Sequence, residues 1–291
     1  MTTDLDMRAG SKTGQVRLRR TWLSISLAAA ALGAAGAVAG LLWPDAIYDQ
    51  ETAALADAAT AQDIVGLAVV SPLLVALGVR ASRGALFAYL GWLGCLAFNV
   101  YNFAIYAFSV QFGPLFLVWV AVLGLSFFAL AGGLATLDMA VVKAGFSNRS
   151  AAVPGWFLIA VGVLFAFLWL SEIVPDLRAG GPSASAADWR IPTNPVHVLD
   201  LAVFLPGVVT TGVLLLRRHR FGYATATGQL VWLALTCLPI LLMPFVADAR
   251  GHAPGWAVTV PIGIVLVAAL GCLASMFRLA GGRQQRLMAR D

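Results

Sequence analysis

Polar residues cut this chain into long apolar stretches, each about 20 residues, separated by short breaks rich in Arg, Pro, Gly and Asp. About 20 residues is what a helix rising 1.5 Å per residue needs to cross a hydrocarbon core. Eight such stretches are predicted as spans: Trp22 to Trp43, Ala61 to Val79, Gly84 to Phe108, Pro114 to Leu137, Pro154 to Val174, Val196 to Leu216, Tyr223 to Val246 and Trp256 to Phe277. The fold class that follows is an all-α integral membrane protein with eight transmembrane helices.

The pattern repeats. DIVGLAVVSPLLVALGV (Asp63 to Val79) matches HVLDLAVFLPGVVTTGV (His197 to Val213) at LAV, at Pro72 with Pro206, and at the closing GV, always at an offset of 134 residues. The same offset carries Trp22 onto Trp156, and the first and fifth spans close with WPD and VPD. This predicts two parallel four-helix repeats, 22–150 and 151–280, between tails at 1–21 and 281–291. An even number of spans makes both copies enter from one side, so the relating axis lies along the membrane normal. Pro72 and Pro206, inside spans, are expected to kink them. Gly33, Gly36, Gly40, Gly132 and Gly133 are expected to let helices approach closely within the chain.

Composition fits lipid as the solvent. Of 291 residues 60% are hydrophobic and 11% charged, against about half and a quarter in soluble proteins. Of nineteen lysines and arginines, sixteen fall in the two tails and the three loops on one side, and three, Arg178, Arg190 and Arg250, on the other. The positive-inside rule therefore predicts both termini in the cytoplasm. The net charge of +5 is spread over five segments with no aromatic platform, which excludes a nucleic-acid partner and leaves the bilayer as the basic residues' surface. The apolar run after the basic tail is longer than a signal-peptide core, so the first helix is expected to stay uncleaved. Cys95, Cys237 and Cys272 lie inside spans as packing residues, with no paired-cysteine zinc pattern.

Ionisable and amide groups gather at one level. At about 1.5 Å per residue from the cytoplasmic ends, Asn99, Asn102 and Glu172 stand roughly 22–27 Å up, in the outer leaflet. Asp63, His197, Asp200, Asp248 and His252 flank the outer ends of their spans. Cys95, Asn99, Asn102 and Tyr106 follow i, i+4, i+7, i+11, one face of a helix. Charge inside a span is expensive and is a site hypothesis by default. Asp63, Asn99, Asn102, Tyr106, Glu172, His197 and Asp200 are thus expected to share an outward-facing pocket. The alternative for the asparagines is pairing across helices, and for His197 and Asp200 it is helix-end capping with interhelical hydrogen bonds. Asp45, Asp49, Glu51 and Asp57 read as a solvated acidic loop, with TAALADAATAQD extending the second span as a helix above the bilayer. Mid-depth positions on the cytoplasmic side carry hydroxyls and Gln229 but no charge.

FLWLSEIVP (Phe167 to Pro175), NPVHVLDLAVFLP (Asn194 to Pro206) and YNFAIYAF (Tyr101 to Phe108) resemble segments of a bacterial family of polytopic membrane proteins. The resemblance implies a location in the bacterial cytoplasmic membrane and transfers no activity or catalytic residue. Three functions fit the residues. The first is binding of a small polar ligand or lipid headgroup in the outward pocket. The second is a hydrolase or transferase acting at the outer leaflet, its cofactor a divalent metal on His197, Asp200 and Glu172, although HExxH, HxxxH and CxxC are all absent. The third is a small-solute transporter hinged at the two prolines. Oligomeric state, the substrate and the choice among these functions are not encoded in any motif.

Overall fold

A computed structural model describes residues 18–146 and 151–288, with side chains to residue 280. The basic residues before Leu18, Arg149 and the trailing Arg283, Arg286 and Arg290 side chains lie outside the described residues. Eight helices are long and apolar enough to span a membrane: α1 (Arg20–Leu42), α2 (Ala53–Ser82), α3 (Leu86–Ser109), α4 (Phe116–Ala135), α5 (Ala152–Ala179), α6 (Pro195–Leu216), α7 (Arg220–Ala249) and α8 (Trp256–Ala280). No strand occurs among the described residues. The chain is an all-α, eight-span membrane protein. Large apolar side chains such as Phe167, Ile264 and Val267 are 65–70% exposed, a state that hydrocarbon tolerates and water does not.

Local chemistry sets the helix ends. Helix α2 starts at Ala53, one loop earlier than its apolar run, because Thr52 Oγ1 accepts the Leu55 N–H at 3.3 Å. The Asn-Pro before VHVLDL is a helix start: Asn194 Oδ1 accepts the Val196 N–H at 2.9 Å, and Pro195 fills the first turn, where no N–H is needed. Helix α5 continues past Val174 to Ala179, where Gly180 at φ +67 adopts the left-handed conformation that closes it.

Inside α2 and α6 the expected kinks take the form of a π-helical turn. It covers Gly66–Val70 in one and Asp200–Phe204 in the other, each directly before the Ser71-Pro72 or Leu205-Pro206 step. The Ser71 N–H reaches back five residues to the Gly66 carbonyl, and the Leu205 N–H to Asp200. A wider turn relieves the clash between a proline ring and the carbonyl four residues earlier. The segments Ser71–Ser82 and Leu205–Leu216, and the starts of α3 (Leu86) and α7 (Arg220), are again 134 residues apart.

Helices α3 and α7 form the centre: 72% and 50% of their apolar stretches are buried, against 17% in α5 and in α8. They cross at Gly94 and Gly228. A side-chain carbon on Gly94 would stand 2.5 Å from the Gly228 carbonyl oxygen, so Gly94 admits no more than hydrogen, while one on Gly228 would come within 3.3 Å of the Leu90 carbonyl. Helices α2 and α4 pack on α3, with α1 against α2 and α4; α6 and α8 pack on α7, with α5 against α6 and, less closely, against α8.

Candidate functional site

The polar residues at the level where α2 and α6 begin form two clusters, one among α1, α2 and α3 and one on α5 and α6. In the first, Asp63 lies three residues outward of the π turn in α2 and is 7% exposed. Tyr48 donates to its Oδ2 at 2.8 Å, and Tyr106 stands 3.0 Å from its Oδ1 and 3.0 Å from the Ala59 carbonyl. Gly40 of α1 makes room: any side chain there would collide with the Asp63 carboxylate. Tyr48 lies between α1 and α2, and burial, reinforced by the neighbouring carboxylate, raises its hydroxyl above the ordinary tyrosine value and keeps it a donor. Phe103 and Trp119 pack on Tyr106 with ring centroids 5.8 and 5.4 Å away, filling the space around the cluster.

A cavity of about 20 Å³ adjoins Asp63, lined also by Gln62, Ser71, Asn99 and Asn102. That is room for about one water. The Asn99 and Asn102 amides make no hydrogen bond with the described residues, so the cross-helix pairing considered for them is not formed. They face this small space.

The second cluster borders a much larger cavity of about 550 Å³, bounded by α2, α3, α5, α6, α7 and α8. Glu172 of α5 and His197 of α6 approach to 3.5 Å, the glutamate side chain 45% exposed and the histidine 8%. Trp169, one turn before Glu172, sets its indole against the His197 ring at 4.7 Å and donates from Nε1 to Asp200 Oδ2 at 2.8 Å. His197 and Asp200 share a face but are joined through this indole. The other carboxylate oxygen, Asp200 Oδ1, has no hydrogen-bond partner although the residue is only 6% exposed. The Tyr101 hydroxyl lies close to this carboxylate without completing a hydrogen bond to that atom. Across the cavity, Gln62 Nε2 is likewise buried and unpartnered. Away from this polar end the wall is apolar, including Phe98, Val161, Val208, Leu233 and Ile240.

Three expectations need correction. The single shared pocket is two spaces: Asp63 and Asn99 line the small one, Glu172, His197 and Asp200 the large one, and Gln62, Asn102 and Tyr106 form the wall between them. Tyr106 closes that wall because its hydroxyl is held by Asp63. The metal set is not assembled either. No group of three or more His, Cys, Asp or Glu side chains among the described residues could hold an ion, Asp200 being turned to the indole of Trp169. Finally, Asp57 is not solvated. It is 3% exposed and pairs with Arg250 Nη1 at 3.2 Å and His252 Nδ1 at 2.7 Å, tying the first turns of α2 to the end of α7.

Sequence reasoning missed Trp169 and Gln62. Trp169 carried a signal, standing three residues before Glu172 and so on its face of the helix; Gln62 carried only its adjacency to Asp63. No protein-family model, curated protein or solved structure matches the chain. Function must therefore be argued from the site's own geometry.

Proposed function

We propose that this is a multi-pass protein of the bacterial cytoplasmic membrane, both termini inside, which binds an amphipathic molecule in the large cavity of its outer half. The small polar part, a lipid headgroup or its equivalent, lies against Gln62, Asn102, Glu172, His197 and Asp200. The apolar part lies along Phe98, Val208, Leu233 and Ile240. One observation carries the reading: a cavity of about 550 Å³ with an apolar wall is bordered at one end by Gln62, Asn102, Glu172, His197 and Asp200, two of which, Asp200 and Gln62, keep a buried polar atom without a partner. Ligand sites are typically about 300–1,000 Å³, mostly apolar, with a few convergent polar groups. A buried polar atom without a partner costs about 1–3 kcal/mol, which a ligand that either side chain can turn to meet would offset.

Tandem duplication of a four-helix unit, 22–150 and 151–280, accounts for the same asymmetry. In its favour are the paired π turns, the recurrent 134-residue offset of element ends, and the contact between Gly94 and Gly228, themselves 134 apart. A residue that touches its own counterpart lies on the relating axis. At this offset Phe103 and Tyr106, which fill the first half, correspond to Cys237 and Ile240, which line the cavity of the second. The first copy is filled by its own side chains, and the second is left open for a ligand.

The test uses the filled copy's own residues. Cys237→Phe with Ile240→Tyr is expected to abolish co-purification of a bound amphiphile, detected by native mass spectrometry from lipid nanodiscs, with the protein still monodisperse. Equal ligand content in the double variant and the parent overturns the reading.

A further inference from the structure

We infer that the polar end of the ligand is a protonated amine carrying no phosphate; this rests on the amphiphile reading above and specifies its headgroup. The argument begins with Asp63, which illustrates what a carboxylate at this depth requires. Each of its oxygens receives a hydroxyl, one from Tyr48 and one from Tyr106. Asp200 occupies a comparable burial and borders the large cavity, but receives one formed hydrogen bond, from the Trp169 indole; its Oδ1 is buried without one, with the Tyr101 hydroxyl close by. A ligand group drawn to this carboxylate must donate. An acceptor-only group, such as a carboxylate or phosphate, would place like charge beside Asp200.

Charge points the same way. Two carboxylates, Glu172 and Asp200, border the cavity, and no lysine or arginine among the described residues lines it. Phosphate recognition relies on those side chains, so a phosphorylated headgroup finds nothing to neutralise it. Aromatic rings complete the environment: Tyr101, Trp169, Trp189 and Trp232 all border the cavity, and ring faces attract a cation within about 6 Å. An ammonium group can donate to Glu172 at the edge of the cavity and offset the charge of Asp200 beside it. His197 stays neutral in this arrangement, since its charged form would compete for Glu172.

The full-length chain in nanodiscs is labelled with photoreactive probes that share one long saturated tail and differ at the head: primary amine, alcohol and phosphate. The amine is expected to label cavity-lining peptides of α6 and α7 about tenfold more than the alcohol, the scale of one charge-assisted hydrogen bond, and the phosphate least. Asp200→Asn keeps an acceptor for Trp169 but presents an amide where the free oxygen was, and should lower amine labelling about tenfold while leaving the alcohol unchanged. Glu172→Gln, at a half-exposed position that folding tolerates, should lower it as well. Phosphate labelling equal to amine labelling, or amine labelling unaffected by both substitutions, overturns the proposal. If amine and alcohol label the cavity equally, the headgroup assignment falls and the amphiphile reading stands. If no probe labels α6 or α7, both fall. A short water-soluble amine that competes as strongly as the long-chain one overturns the need for a tail, and with it the amphiphile reading.

Discussion

The Trp169 indole holds one oxygen of Asp200 at 2.8 Å and leaves the other bare. One helix, α5, thus aims a carboxylate on another, α6, and the same indole supports the His197 ring. Trp169→Phe should keep the packing and remove the bond, costing about 1–3 kcal/mol for a stranded buried carboxylate. Combined with Asp200→Leu the added cost should vanish. Thermal unfolding of the four members of this cycle in detergent measures the coupling, and additive losses would contradict it.

The first cluster makes the corresponding expectation at Asp63. Tyr106→Phe strips one donor from a buried carboxylate and should destabilise by about 1–3 kcal/mol. Because Tyr106 also closes the wall between the two spaces, Tyr106→Ala should merge them. An ordered-solvent map of that variant should contain water continuous from Asn99 to Glu172; a closed wall would show that Tyr106 is not the partition.

At the centre of the bundle, Gly94→Val would drive a side chain into the Gly228 backbone. Overpacking of this kind costs about 1–3 kcal/mol or more, and the melting temperature should fall sharply. Gly124→Ala is the control: a side-chain carbon there meets nothing within 4 Å, so stability should hold or rise by roughly 0.5–1 kcal/mol.

Removing Asp57 leaves Arg250 and His252 without their shared carboxylate. Full burial of such a pair would make the loss about 3–5 kcal/mol, but Arg250 and His252 side chains are 31% and 41% exposed, so roughly 1–3 kcal/mol is expected. Hydrogen exchange should rise first in 53–60 and 247–252; unchanged protection there would dismiss the clamp.

Orientation is open to a direct measurement. With the three native cysteines replaced, single cysteines at Asp49 and Ser183 should react with an impermeant reagent in intact cells, as the sixteen-to-three asymmetry of basic residues requires. Labelling only after the membrane is opened would reverse the topology.

Hydropathy made the spans legible because lipid demands about 20 apolar residues per crossing whatever the tertiary structure. All eight predicted runs coincide with α1 to α8, and their errors lie at the ends, where a cap such as Thr52 or a glycine such as Gly180 decides. Relative level was legible too: counting along the helices places Glu172, His197 and Asp200 at one level, where Glu172 meets His197 and Trp169 meets Asp200. Azimuth was not. Whether Asp63 faces the same space as Asp200 depends on how α3 is turned between them, and Tyr106 supplies that turn through a bond to a residue 43 positions away. The burial of Asp57 depends on a partner 193 positions away, which no local pattern encodes.

The π turns before Pro72 and Pro206 bear on which changes of chain length the protein can accept. Each holds one residue more than an α-helical turn closes over, and one residue amounts to about 100° of rotation about the helix axis. The wide turn absorbs that rotation, because its five residues sweep about as far around the axis as four do in an α-helix. Asp63 in α2 and His197 in α6 therefore keep the aim that an uninterrupted helix would give them. Deleting a single residue from 66–70 or 200–204 should let the turn close as α-helix and leave those side chains beside Tyr48 and Tyr106 in one half and Glu172 in the other, whereas a deletion between a turn and its cluster should swing them by about 100°. Length variation inside these two helices should accordingly be tolerated at the two turns and forbidden between each turn and its cluster.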